Sequence, residues 1–154
     1  MAWRRVPSPR PGLHRLLTDV AATSATNAWA VGFIGSLTTK PAKTLIERWN
    51  GTAWRLVPSP TPADGGSLIG VAAGGARSVW AVGFTGSGNS PKQSLIEHWH
   101  GTRWRRVPST APAGSALIDV AVISERNAWA VGATNSGNGN TVIMHWNGNT
   151  WKRA

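Results

Sequence analysis

The amino-acid sequence predicts an all-β repeat protein, on three observations. A unit of about 50 residues recurs three times along the 154 residues, each copy reads as four short strands, and no segment carries a helical apolar stripe. The recurrence is direct. NAWAVG at 27–32 returns as SVWAVG at 78–83 and NAWAVG at 127–132, while LIERWNGTAW at 45–54 returns as LIEHWHGTRW at 95–104 and VIMHWNGNTW at 142–151. WRLVPSP at 54–60 recurs as WRRVPST at 104–110 and, ahead of the first full copy, as WRRVPSP at 3–9. Trp29, Trp80 and Trp129 stand 51 and 49 residues apart, which sets the period.

Within a copy the elements follow in order. DVAA at 19–22, GVAA at 70–73 and DVAV at 119–122 alternate small and branched residues, as suits a crowded inner strand. NAWAVGF places Trp29, Val31 and Phe33 on one face of a second strand and Ala28, Ala30 and Gly32 on the other. After a loop rich in Gly, Ser, Thr and Asn comes a third strand, TLIERW. Asn50-Gly51, repeated as His100-Gly101 and Asn147-Gly148, then signals a hairpin. An even loop length puts Trp49 and Trp54 on the same sheet face, and likewise Trp99 with Trp104 and Trp146 with Trp151. The fourth strand stops at Val57-Pro58, because proline has no N–H for the ladder.

Four short antiparallel strands in a repeat of 40 to 50 residues match one blade of a β-propeller. The expected organisation is a single repeat domain: an extra N-terminal outer strand over 3–9, blade one over 17–60, blade two over 68–110 and blade three over 117–154. Three blades are fewer than propellers usually close with, so the chain reads as a partial propeller or as half of an oligomeric ring. A homodimer would bring six blades and a trimer nine, and six lies in the usual range. Exchange of the 3–9 strand with the C-terminal strand of a partner would seal such a ring.

These repeats resemble the Trp-rich repeats of bacterial β-propeller proteins, loosely related to the kelch and galactose-oxidase-like propellers, along nearly the whole chain. The resemblance implies the fold and leaves the activity open. Val31-Gly32 stands where a strict kelch repeat has a glycine doublet, and Trp49 stands where a sialidase-type box would place its Asp. The cross-linked Cys and Tyr of galactose oxidase cannot be built, since the chain has neither residue.

Composition removes further classes. Without Cys there are no disulfides, zinc thiolates, iron–sulfur clusters or catalytic thiol. His14, His98, His100 and His145 are too scattered for a metal site, and no cofactor is expected. No apolar stretch approaches the roughly 18 residues of a membrane span, and MAWRRVPSPRPG lacks a signal-type apolar segment. The compartment is not legible. The net charge of +10 places half of the 16 basic residues on or beside fourth strands: Arg4, Arg5, Arg55, Arg103, Arg105, Arg106, Lys152 and Arg153. Basic edge strands discourage sheet aggregation; as a functional belt they would favour salt-sensitive contact with nucleic acid or acidic polysaccharide. No base-reading signature accompanies them, which argues against sequence-specific nucleic-acid binding.

The ten tryptophans, Trp3, Trp29, Trp49, Trp54, Trp80, Trp99, Trp104, Trp129, Trp146 and Trp151, hold structural repeat positions and are expected in the core, each indole N–H on a carbonyl. An exposed set would instead make a sugar platform. Strand order puts the loops between second and third strands on the same side as the blade connections. Binding residues concentrate in such loops, so Lys40, Lys43, Asn89, Lys92, Asn135 and Asn138 are the ligand-contact candidates. Glu47 and Glu97 share a repeat position with Met144 and are expected to pair across strands with Arg55 or Arg105 at the surface. No nucleophile, base and stabiliser converge, so no catalytic residue is named. The expected function is a non-enzymatic binding or scaffold module, with a glycan or protein partner. The alternatives are a fragment of a larger propeller hydrolase or lyase with its active site elsewhere, and a purely structural, self-assembling segment.

Overall fold

A computed structural model describes residues 5–9, 14–35, 42–87, 90–135 and 139–154. Its twelve strands form three antiparallel sheets of four, joined in sequence order. Blade one holds β1 (Arg15–Ser24), β2 (Asn27–Ile34), β3 (Lys43–Trp49) and β4 (Trp54–Leu56). Blade two holds β5 (Gly66–Gly75), β6 (Ser78–Ser87), β7 (Ser90–Trp99) and β8 (Trp104–Arg106). Blade three holds β9 (Ser115–Ser124), β10 (Asn127–Thr134), β11 (Thr141–Trp146) and β12 (Trp151–Arg153). Among the described residues there is no helix, hence none able to cross a membrane. The fold is a partial β-propeller: β1 packs on β5 and β5 on β9 along the inner side, while β4, β8 and β12 form the outer edge.

The register explains why the repeat needs Val-Gly in its second strand. Each inner strand carries a bulge that leaves Thr18 without a partner in the ladder between Leu17 and Asp19, with the same irregularity between Leu68 and Gly70 and near Leu117. Gly32, Gly83 and Gly132 lie opposite Leu17, Leu68 and Leu117, and a Cβ at any of them would overlap the carbonyl oxygen of Leu16, Ser67 or Ala116. The glycine therefore admits the bulge, and the bulge sharpens strand twist at the centre of the blade.

The β3–β4 loop has four residues. Asn50 Oδ1 accepts the Thr52 and Ala53 amides at 3.0 and 2.9 Å, and Asn147 repeats this with Asn149 and Thr150 at 3.0 Å each. Gly51, Gly101 and Gly148 take φ of 96°, 91° and 93°, a left-handed geometry that a side chain resists. As expected, each hairpin brings two indoles onto one face, at centroid separations of 5.9, 6.0 and 6.0 Å.

The N-terminal copy departs from expectation. Residues 5–9 join no strand, and Trp3 and Arg4 lie outside the described residues. A fourth strand forms by pairing with the third strand of its own blade, as β4 does with β3, and the described residues place no such strand beside 5–9. Ser8 docks on blade one instead, its hydroxyl donating to the Glu47 carboxylate at 2.9 and 3.0 Å.

Candidate functional site

Two apolar clusters lie between the sheets. The first joins blades one and two through Trp29, Val31 and Ile46 on one side and Leu68, Val71, Leu95, Trp99 and Trp104 on the other. The second repeats it between blades two and three, with Trp80, Val82 and Ile96 against Leu117, Val120, Val142, Met144 and Trp151. Each strand alternates which neighbour it faces: Ile96 looks toward blade three, while Leu95 looks back toward blade one. Each junction is pinned by three indoles. Trp29 lies 4.8 Å from Trp99 and 5.3 Å from Trp104; Trp80 lies 4.9 Å from Trp146 and 5.1 Å from Trp151. The second contact of each set is edge to face, the arrangement that ring quadrupoles favour.

This corrects one expectation about the indoles. Among the described residues, Trp49 and Trp146 alone give their N–H to a carbonyl, Ala25 O at 3.0 Å and Glu125 O at 3.1 Å. Among the described residues, the buried Nε1 atoms of Trp29, Trp80, Trp99, Trp104 and Trp151 have no hydrogen-bond partner. They meet other rings rather than backbone, so apolar area and ring geometry hold the junctions together.

The shared Glu position is also corrected. Glu47 and Glu97 are buried, not paired at the surface: Glu97 faces blade one, as Met144 faces blade two, and Glu47 has the same orientation on the end face of blade one, where Ser8 lies against it. Ser8 supplies Glu47 with its hydrogen bonds. Neither oxygen of Glu97 has a partner among the described residues. Burial pushes the Glu97 carboxyl up to about 8, opposed by the charge of Arg106 on the neighbouring strand. Burial also raises Glu47, held back by the Ser8 bond and Arg15.

A polar recess lies at the outer part of the second junction. At the first junction the Arg48 guanidinium sits 4.9 Å from the Trp29 ring and 5.7 Å from Trp99, with Nε donating to Asn27 Oδ1 at 2.8 Å. At the second junction His98 takes that position. Its shorter ring stacks on Trp80 at 3.9 Å and leaves a cleft of about 570 Å³. Arg77 and His100 of blade two and Glu125, Arg126 and Trp146 of blade three line it. His98 Nδ1 and His100 Nε2 are 3.2 Å apart, so one imidazole donates to the other. Burial, with His100 alongside, lowers His98 to about 4; burial and the charge of Arg105 also lower His100, leaving both rings neutral at pH 7. The cleft thus presents two guanidinium groups, two neutral imidazoles, one carboxylate and an indole on a stiff sheet framework.

This cleft is on the side opposite the predicted candidates. The bonds Gly86 N–H to Gly65 O and Asn135 N–H to Gly114 O put the second-to-third-strand loops beside the blade connections, as expected. Lys43 and Asn135 are exposed there, but blade two separates them and they form no common site. Lys40, Asn89 and Asn138, and the side chain of Lys92, lie outside the described residues. The described residues on that side include a recess of about 400 Å³ lined by Gln93, Arg106 and Ser109. The sequence reading passed over the His98 cleft, although pairing of the second and third strands sets residue 98 opposite Trp80 and could have pointed to it.

Fold and site together define a propeller segment with contact surfaces between its blades. A structure described as YCF48 bound to D1 peptide is similar to the chain at a TM-score of 0.56 and 15% identity, over 97% of this chain and 46% of that one. The chain thus spans less than half the length of this β-propeller, and the likeness concerns the fold. No protein-family model and no curated protein matches the chain.

Proposed function

We propose that the chain is a non-enzymatic β-propeller scaffold that holds a peptide segment of a protein partner in the cleft between blades two and three. The observation that carries this reading is the gathering of unlike polar groups and a half-buried indole from two adjacent blades into one recess of peptide-binding size. Arg77 and Arg126 favour an acidic segment, and Trp146 gives an apolar side chain a flat surface. The solved neighbour with a bound peptide supports a protein partner for this fold. A glycan is the second reading, favoured by Trp146, whose ring could stack on a pyranose.

The purified chain on acidic and neutral peptide arrays, with a glycan array in parallel, tests the assignment. The expected result is binding of acidic peptides that weakens about tenfold or more in Arg77→Ala/Arg126→Ala and changes less than twofold in Lys43→Ala, on the opposite side. Glycan binding without peptide binding would move the chain to the lectin reading. Silence on both arrays would leave a structural segment.

A further inference from the structure

We propose that a second copy of this chain covers both end faces, blade three of one copy seating on blade one of the other, head to tail, so that two copies form a six-blade ring. The occupant is argued from the chain's own two junctions, whose halves are repeated on the two end blades. The forward half is on blade three. Trp129, Val131 and Ile143 match Trp29, Val31 and Ile46 and also Trp80, Val82 and Ile96, all buried, yet they are 37, 45 and 46% exposed. Trp129 is already held for the contact by stacking on His145 at 4.2 Å, as Trp80 is by His98.

The receiving half is on blade one. Trp49 and Trp54 are 5.9 Å apart, matching the 6.0 Å of the two pairs that grip Trp29 and Trp80. Leu17 and Val20 are 39 and 60% exposed, whereas Leu68, Leu117, Val71 and Val120, which hold the same repeat positions inside junctions, are 0, 0, 5 and 6% exposed. A cleft of about 350 Å³ lined by Ser8, Leu17, Val20, Ala30, Glu47 and Trp54 marks the open part of the seat, while Ala28, Leu45 and Glu47 on the same face are already covered, at 8, 2 and 1% exposed. Glu47 on its floor is no obstacle, since Glu97 holds the same place inside the first junction.

The rim of that seat is already in place. At the second junction the connection after β8 runs along the outer edge, Ser109 bridging in parallel to Trp151 and the Thr110 amide donating to Trp151 O at 3.3 Å. Ser8 matches Ser109 in the repeat and is fastened to blade one through Glu47. What blade one lacks is the sheet itself, with its forward indole. A face of this kind is head-to-tail in character, and with two copies the contact closes on itself.

Sedimentation velocity on the full chain between about 1 and 100 μM tests this, with two variants that leave both internal junctions intact. Wild type is expected at twice 16.3 kDa. Trp129→Glu disables the forward face and Val20→Arg the receiving face, and each is expected to weaken the dimer about 30-fold or more while circular dichroism shows the strands retained. Mixing the two variants restores one competent contact, so the mixture forms a heterodimer that neither makes alone. A wild-type monomer at 100 μM, a trimeric mass, or a mixture that stays monomeric would overturn the proposal. So would a dimer lost in Trp129→Glu yet intact in Val20→Arg, which would mean two forward faces meeting. Peptide binding at the His98 cleft is expected to survive in Trp129→Glu, so failure of either proposal is visible separately.

Discussion

Replacing Glu97 with methionine, the residue that blade three carries at the matching position, is expected to stabilise the chain by an amount that grows with pH. The folded carboxyl is pushed up from 4.5 to about 8 by burial without a hydrogen-bond partner. Between those limits the folded state keeps a proton that the unfolded chain releases, so stability from this group is full below pH 4.5 and falls as pH rises through about 8. At 1.36 kcal/mol per pH step, the penalty reaches about 3 kcal/mol at pH 7 and about 5 kcal/mol above pH 8. Methionine removes it and adds apolar contact in a junction where Met144 already fits. Guanidinium unfolding followed by tryptophan fluorescence, at one protein concentration, gives the difference between Glu97→Met and wild type. It should be within about 1 kcal/mol at pH 4, about 3 at pH 7 and about 5 at pH 9, with melting raised by roughly 6 to 12 °C at pH 7. A difference that is constant with pH, or that shrinks as pH rises, would refute the assignment of Glu97 as a desolvated carboxyl.

Three other outcomes follow from the same geometry. Gly83→Ala should destabilise by about 3 kcal/mol or more in the same unfolding assay, because its Cβ would overlap the Ser67 carbonyl and the Val-Gly step would no longer admit the inner bulge. Asp19→Ala should cost about 1 to 2 kcal/mol, since Asp19 Oδ2 accepts the Val71 amide of the next blade at 2.8 Å as well as its neighbour Val20 through Oδ1; Asp119→Ala, which among the described residues removes a bond to Val120 alone, should cost less. His98 should stay neutral down to about pH 5 in an NMR titration, and because its folded value lies below 6.5, the stability it confers is present above pH 6.5 and lost as pH falls through about 4.

Much of the fold was legible in the sequence for a definite reason: the repeat supplies three readings of every position. Strand order, the even length of the hairpin loop and the pairing of Trp49 with Trp54 follow from alternation and turn chemistry alone, and the sheets agree. Burial was less legible. In a single half-buried sheet, alternation separates inside from outside, but a propeller blade is covered on both faces, so alternation only sorts residues between two neighbours. Glu97 shares a face with Leu95 and Trp99 and was nonetheless read as a surface charge. The same ambiguity hid the cleft: Arg48, His98 and His145 look like solvent positions in a list of repeats, whereas each lies against the forward indole of its own blade. The 3–9 copy was read as a strand because its residues match those of β4, but ladder bonds need a partner as well as a pattern.

Solvent access at individual indoles tests the inter-blade wedge most directly. The chain labelled with 5-fluorotryptophan, in the Val20→Arg background so that the end face of blade three stays open, can be titrated with a soluble paramagnetic agent while fluorine resonances are followed. Trp29 and Trp80, buried between sheets, should keep their line widths, and Trp129, at the same repeat position on an unpartnered face, should broaden strongly. Broadening of Trp29 or Trp80 as large as that of Trp129 would mean that these indoles do not join the blades.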